Sequence, residues 1–499
     1  MAELQSYRFP ARASSGVLFG LSLSRLLAIG AAGVVLIVVT SRPSVWSLTG
    51  GSVVIGVLLG SVAVRVGGRP AIDWLPVWVG YGWAMATRNN EFYASPDLVD
   101  VELPEGTLDL PGELFGFELH TYDRTSKATV ANPTPAGYGV LVDTFRDRLV
   151  AIVEVSGQDL LFCDPHDQQA RFTSWGATLD HLVQSLPELA RLQVVHLVGP
   201  ASTETLARWH HAHGGRGTPD THRSYRQVVD AAGTGAQEHR LLVAVALDVR
   251  AARRSVRQAG GGRDGAATVL LDRAATVEDA LRAAGIEVHG WLPAPAVARL
   301  LRVAFDPAVR TRLDAGPDDV NDGGGLEAAA AGPTAMVEQW SALRHDSGWS
   351  ATLQVAGAPS RPVTGDFLQH LLIGVPAERR MSLLYVPMPM AVAERRAQTA
   401  QVTSESEQAL RARWGFGTSA RHRREHGDAA AREADLVEGR AVMRLVWTVT
   451  VTAPSPAMLD VAVGQVETAA RQCGLTLRRL VGTQRQAASF TLPLCRGAR

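Results

Sequence analysis

Residues Val446–Leu480 read "VWTVTVTAPSPAMLDVAVGQVETAARQCGLTLRRL", and their periodicity changes twice. Val442 to Ala453 is rich in Val, Thr and Trp, side chains that suit a pleated, half-buried surface, so it predicts a strand. Pro456 sits where proline is favoured, in the first turn of a helix that runs to about Gln472. Leu475 to Leu480 returns to a strand pattern. Upstream, Met381 to Pro387 predicts another strand. Ala391 to Trp414 and Thr418 to Glu438 predict two helices broken at Gly415-Phe416-Gly417, a helical hairpin over 391–438. The resulting β-α-β-α-β order, with one arm lengthened into the hairpin, predicts a split-βαβ, ferredoxin-like sheet within 333–499.

Before it, residues 316–332 (GPDDVNDGGGLEAAAAG) predict a linker by their glycines, acids and alanines. Its acids fail as a calcium loop, because Val320 falls third after Asp318, where an oxygen ligand is needed. Strands and helices alternate through 99–315, a first cytosolic unit of an α/β (α+β) chain. Strand candidates are Phe115–Tyr122, Gly139–Asp143, Leu149–Val155, Asp159–Phe162, Leu192–Val198 and Leu241–Val249. Helices are expected at Asp167–Gln184, Val277–Ala284 and Pro293–Ala304.

The N-terminal region has a different character. After a tail over 1–19, Gly20 to Thr40 is apolar except for Ser22, Ser24 and Arg25, and about 21 residues span roughly 30 Å as a helix. Trp46 to Val64 is a second apolar run, and Pro43 marks the turn between them. Residues 20–64 therefore predict a transmembrane hairpin rather than a signal peptide. Arg25 lies near one end, where its stem reaches the headgroups. Arg8, Arg12 and Arg25 precede or open the first span; Arg65, Arg69 and Arg88 follow the second; Arg42 alone lies between. The positive-inside bias predicts a two-span protein of the plasma membrane with both chain ends in the cytoplasm. In the membrane-proximal segment 65–98, Trp74, Trp78, Tyr81 and Trp83 have rings that suit the membrane interface, with core packing as the alternative reading.

Composition limits the chemistry. The chain has 499 residues, 46% apolar and 20% charged, and a formal net charge of zero, which gives no reason to expect a nucleic-acid partner. The three cysteines, Cys163, Cys473 and Cys495, lack metal spacing and suit a reducing compartment. Lys127 is the only lysine, and no glycine loop precedes it, while Gly260-Gly261-Gly262-Arg263-Asp264-Gly265 carries no lysine. A nucleotide-hydrolysing P-loop is thereby excluded. Gly417-Thr418-Ser419-Ala420-Arg421 misses the last glycine of a serine-hydrolase elbow. His210 and His213 could share a helix face, but lack a convincing further ligand and suit a polar helix end. Asp164-Pro165-His166-Asp167 reads as a polar turn with Asp167 as helix N-cap. No catalytic, metal or cofactor residue is assigned.

Val446 to Leu480, followed by "TQRQAASFTLPL" (Thr483–Leu494), resembles the non-motor N-terminal half of the VirB/TraC/TrbE-type conjugation ATPases of type IV secretion. "RLVAIVEVSGQDLLFCDPHDQQARFTSWGATLDHL" (Arg148–Leu182) is similar to that family's early strand pair and helix, and the membrane hairpin resembles its small PrgI-like partner. The resemblance implies a non-catalytic, membrane-anchored component that docks a separately encoded P-loop ATPase and self-associates in a membrane complex. Its docking candidates are Arg421, Arg423 and Arg424 in the helical hairpin, and Gln484, Phe490 and Leu492 near the C-terminal end. For Phe490 and Leu492 a core role is the competing reading. EccE of type VII secretion, also a two-span protein with a cytosolic domain, is the alternative family. A membrane-tethered enzyme gathering Asp164, His166 and Asp167 is the third reading.

Overall fold

The structure is a computed structural model that describes residues 23–41, 44–66, 69–94, 106–123, 137–157, 163–201, 218–233, 236–315, 326–359, 361–395, 398–399, 427, 434 and 438–497. It divides into two units. One holds the described residues of Phe9–Asn89 and Pro389–Arg440, the other those of Asn90–Met388 and Ala441–Arg499.

The first of these contains α1 (Leu23–Ser41) and α2 (Val45–Ala63). Each is long and apolar enough to cross a membrane, at about 1.5 Å per residue. Ala28, Ala32, Val39 and Gly51 are buried, and Gly51 lies against Val39, so small residues let the two helices approach closely. Ser44 caps α2, its hydroxyl accepting from the Ser47 amide at 3.0 Å while Ser47 reaches back to the Ser44 amide. A short ribbon of β1 (Arg65–Val66) and β2 (Arg69–Pro70) and a 3₁₀ turn (Ala71–Trp74) lead into α3 (Leu75–Ala86).

The other unit is built on a 13-stranded sheet. After β3 (Glu91–Tyr93) come β4 (Phe117–Tyr122), β5 (Tyr138–Asp143), β6 (Arg148–Ser156), α4 (Pro165–Ser185), β7 (Leu189–Pro200), α5 (Pro219–Gly233), β8 (Gln237–Asp248), α6 (Arg253–Gln258), α7 (Gly262–Ala283) and β9 (Glu287–Trp291). Then follow α8 (Ala294–Phe305), α9 (Arg310–Ala315), β10 (Ala335–Glu338), β11 (Leu343–His345), β12 (Gly348–Gly357), α10 (Gln369–Leu372), β13 (Arg379–Pro387), β14 (Met443–Ala453), α11 (Pro456–Gln472), β15 (Thr476–Arg479) and α12 (Gln484–Ala488).

The sheet contains the same pattern twice. β6, β7, β8 and β9 lie in the spatial order β9-β6-β8-β7, and β12, β13, β14 and β15 in the order β15-β12-β14-β13. Both are the split-βαβ order, with the fourth strand beside the first and the third between the first and second. An antiparallel meander precedes each, β4-β5-β6 and β10-β11-β12. In each the register shifts where the fourth strand pairs with the first, through an extra residue on β9 between Val288 and Gly290 and on β12 between Val355 and Gly357. The halves meet where β7 pairs antiparallel with β13, from Arg379 opposite Val198 to Tyr385 opposite Leu192. Equivalent strands paired this way are exchanged by an approximate twofold axis normal to the sheet. The ferredoxin-like order expected for 333–499 is thus present, and it is duplicated. The expected linker 316–332 falls between β9 and β10, strands of one sheet.

Helices cover both faces, which explains why β5 and β6 are near-continuous apolar runs. On one face α4 and α7 pack over the first half, and α10 and α11 over the second. On the other, α8 covers the first half, while α12 and the segment after it lie against the second. α11 shows the local logic. Ser455 caps it through the Met458 amide (3.3 Å), Pro456 opens it, and Leu459, Val463, Val466 and Ala470 face the sheet. Gly474, at φ 72°, ends it in a left-handed turn that returns the Leu475 amide to the Ala470 carbonyl. α7 starts at Gly262, well before the expected Val277, because the glycine run forms its entry turn (φ 103°, 75° and 63°) rather than a loop.

Candidate functional site

The anchor places its aromatic residues unequally. Trp78 and Trp83 are 50% and 71% exposed, and Leu75, Val79 and Met85 are exposed beside them. Tyr81 is half-buried. Trp74 is buried in the turn before α3, where the neighbouring Asp73 carboxylate accepts from the Ser24 hydroxyl at 2.5 Å, so Trp74 takes the packing reading rather than the interfacial one. No residue of α3 is buried.

Asp164, His166 and Asp167 are all exposed at the start of α4. Asp164, not Asp167, is the N-cap position, and its carbonyl accepts the Gln168 amide at 3.0 Å. Among the described residues, nothing encloses the turn as a reaction site would require. His210, His213, Lys127, Arg421, Arg423, Arg424 and the 417–421 segment lie outside the described residues. Among the described residues, no cluster of three or more His, Cys, Asp or Glu could hold a metal ion.

The C-terminal segment is held by a set of buried polar contacts. Gln484, Phe490 and Leu492 are 0%, 7% and 1% exposed, so they offer no surface while the segment is in place. The Gln484 amide donates to the Leu480 carbonyl at 2.8 Å, and its oxygen accepts the Thr352 amide at 2.8 Å. Gln193, wholly buried on β7, donates to the Ser382 hydroxyl (2.8 Å) and the Phe490 and Leu492 carbonyls (3.0 and 2.9 Å), and accepts the Cys495 amide (2.7 Å). Beneath the segment runs a ladder of hydroxyls: Thr352 to Thr450 at 2.8 Å, Thr450 to Thr491 at 2.7 Å, and Ser350 to Thr452 at 2.9 Å. Beyond it, Arg496 pairs with the buried Asp143 at 3.0 Å and lies over the Phe117 ring, so the segment reaches from the second half into the first.

One contact has the form of a catalytic pair. His345 Nε2 lies 2.7 Å from Ser350 Oγ, and its Nδ1 lies 2.5 Å from the Phe305 carbonyl. Both side chains are 1% exposed, and burial pushes the His345 pKa down to about 4, so the imidazole is neutral and sealed from substrate. The pair is a satisfied core contact. No sequence motif pointed to it, because the partners are brought together by the β11–β12 turn and the end of α8.

The molecule is therefore a duplicated, ferredoxin-like sheet in a chain with two apolar N-terminal helices, and no open catalytic constellation occurs among the described residues. A family model described as "Putative type VII ESX secretion system translocon, EccE" matches residues 235–355. No curated protein matches the chain. The matched segment runs from β8 to β12 and so crosses from the first half into the second. It corresponds to the family given above as the alternative. Nothing found supports the conjugation-ATPase resemblance, whose strongest stretch, Val446–Leu494, lies outside the match.

Proposed function

We propose that this protein is a membrane-anchored, non-catalytic component of a type VII secretion translocon, of the EccE kind. The match over 235–355 carries the proposal, since it runs from β8 of the first half into β12 of the second rather than over one generic βαβ unit. The apolar pair α1 and α2 supports it, as does a core in which the candidate nucleophile and base are closed off. The partners in this reading are the other membrane components of such a translocon and the bilayer, with both chain ends on the cytoplasmic side. α3 belongs to the anchor: Trp78, Tyr81 and Trp83 hold the headgroup region, because this 12-residue helix is too short to span and is apolar all round. Any docking by this chain falls to residues other than the buried Gln484, Phe490 and Leu492.

The test is extraction of the tagged chain from its own membranes in mild detergent, followed by native-gel separation and identification of what migrates with it. Comigration with a large membrane complex of secretion components is expected. A chain that runs alone under conditions that keep such a complex intact sinks the proposal. Topology is tested separately. Thiol labelling of Ser44→Cys in intact cells is expected, while Asp164→Cys should label only after permeabilisation.

A further inference from the structure

We infer that the outer face of α11 is a docking surface for a second copy of this chain, the two helices packing antiparallel. The inference rests on the anchor read from α1 and α2 and not on the secretion reading, so either can fail alone.

The duplication supplies the comparison. α7 joins β8 to β9 and α11 joins β14 to β15, so the two helices hold equivalent places in the two halves. The outer face of α7 is charged, as a solvated face is: Arg263, Asp264, Asp272, Asp279 and Arg282 are exposed. The outward stripe of α11 is Ala457, Met458, Val461, Gly464, Gln465 and Thr468, all exposed and none charged. Met458 and Val461 are 56% and 63% exposed, one turn apart on that stripe. Seating the helix does not need them, since Leu459, Val463, Val466 and Ala470 already bury its inner face. Gly464 stands in mid-helix, where glycine weakens a helix. A side chain there would meet nothing within 4 Å beyond its own helix, so packing inside the chain does not call for a glycine. A second helix crossing at Gly464 and Gln465 does, because the side chains at a crossing set how closely two helices approach.

The charges beside the stripe select the partner and its direction. At 3.6 residues per turn, Asp460 and Arg471 fall on the same flank of the stripe. They are about 16 Å apart along the axis, too far to pair within one helix. Asp460 is 72% exposed and one of its oxygens accepts from Arg479 at 3.2 Å, which leaves the second for a partner. Arg471 is exposed and donates to the Thr468 hydroxyl at 2.8 Å. Among the described residues it forms no ion pair, and Glu467, one turn before it, is half-buried further round the flank. An antiparallel copy crossing near Gln465 brings each Asp460 level with the partner's Arg471, twice over, as a twofold axis requires. A parallel copy sets acid beside acid. One helix face buries less than the roughly 1,200 Å² that a stable complex in solution needs. Two copies held in one bilayer meet at a raised effective concentration, so a face of this size suffices there.

The experiment is cross-linking of the full chain in isolated membranes with a short bismaleimide. All variants carry Cys163→Ser, since Cys473 and Cys495 are buried. Two differently tagged copies are produced together, so that a mixed dimer identifies itself. Gln465→Cys, near the twofold axis, is expected to give that dimer. Met458→Cys, whose mate lies at the far end of the antiparallel pair, and Asp272→Cys on α7 should not. Val461→Asp and Gly464→Leu should each abolish the Gln465→Cys product, while the chain in detergent melts as before or higher, because both positions are exposed. Asp460→Arg should weaken the product, and Asp460→Arg together with Arg471→Asp should restore it, a rescue that one helix alone cannot produce. The inference is overturned if a folded Gln465→Cys chain gives no dimer, or if the double charge exchange fails to restore it. An equal product from Asp272→Cys would show chance collision, one from Met458→Cys a parallel pair, and a Gln465→Cys adduct to a different protein another occupant; each overturns it. A lowered melt in both Val461→Asp and Gly464→Leu also overturns it, since the face would then serve the fold.

Discussion

The two halves of the sheet share a topology and differ in what seals one of their faces. Under α8, the first half presents Val150 and Ile152 on β6 opposite Ala246 and Ala244 on β8. At the matching place on β12 and β14, the second half presents Ser350 and Thr352 opposite Thr452 and Thr450. The first face is closed by apolar contact with Val297, Leu301 and Phe305. The second is closed by hydrogen bonds among hydroxyls, Gln484 and Thr491. An apolar seal is non-directional and tolerates small shifts. A hydroxyl seal holds only when each partner is in place, because a buried polar group left alone costs its full desolvation. Duplication thus gave one strand pattern, and the covering element decided which side chains could occupy it.

The largest expected effect breaks the apolar seal. Ile152→Ala and Leu301→Ala, both at fully buried positions, should each lose about 2–5 kcal/mol in a denaturant melt. Losses below about 1 kcal/mol would mean that α8 does not close this face.

Next comes the joint between the halves. Gln193→Leu keeps the volume but strands four partners, one of them the Cys495 amide. A cost of about 2–4 kcal/mol is expected, with faster amide exchange over residues 490–497 than elsewhere in the sheet. Uniform protection with an unchanged melt would show that the segment is held by its apolar side chains alone.

The ladder itself gives a sharper test. Thr450→Val leaves the hydroxyls of Thr352 and Thr491 facing a methyl group and should cost about 1–3 kcal/mol. Changing Thr352, Thr450 and Thr491 together to Val should recover most of that loss, because no orphan remains. A triple variant less stable than the single one would show that the hydroxyl face cannot be turned into its apolar counterpart.

These contrasts also explain what could be read from the chain. β5, β6, β8, β13 and β14, with α4, α8 and α11, were legible because their apolar runs or caps are local. β12 (GWSATLQVAG) was not, since its Ser350 and Thr352 are buried only when the C-terminal segment covers them. α5 (PDTHRSYRQVVDAAG) was missed because most of its length is polar. The duplication stayed hidden for the same reason, as equivalent strands carry Val and Ile in one half and Ser and Thr in the other. The span pair needed only hydropathy and length. The aromatic set was read as one group, although packing of the turn before α3 takes Trp74 inside.

A smaller, pH-dependent effect belongs to the second half. His345 is held neutral by burial, its pKa lowered to about 4 from 6.5. The unfolded chain takes up a proton near pH 6.5 and the folded chain does not until about pH 4, so the neutral form stabilises the fold fully above pH 6.5. That contribution, about 3 kcal/mol at most, should disappear as pH falls from 6.5 to 4. His345→Gln should flatten this part of the stability profile, and an equally steep profile would assign the acid lability to other groups, His196 first, whose pKa is also lowered to about 4 by burial, His239 and Arg379.

The smallest effect is expected at the most conspicuous polar turn. Asp164, His166 and Asp167 lie exposed at the start of α4, and no side-chain capping bond is made by Asp164. Replacing all three with Ala removes no buried partner, so the melt should move by about 0.5 kcal/mol or less, apart from a modest loss of favourable acid charge at the helix start. Complex assembly, measured by the same native-gel comigration, should persist. Their polarity resembles that of Ser350 and Thr450, but the solvent satisfies them, whereas the buried hydroxyls depend on one another. A loss of more than about 2 kcal/mol, or a loss of assembly with an unchanged melt, would place an unseen partner on the turn and end its reading as a solvated helix entry.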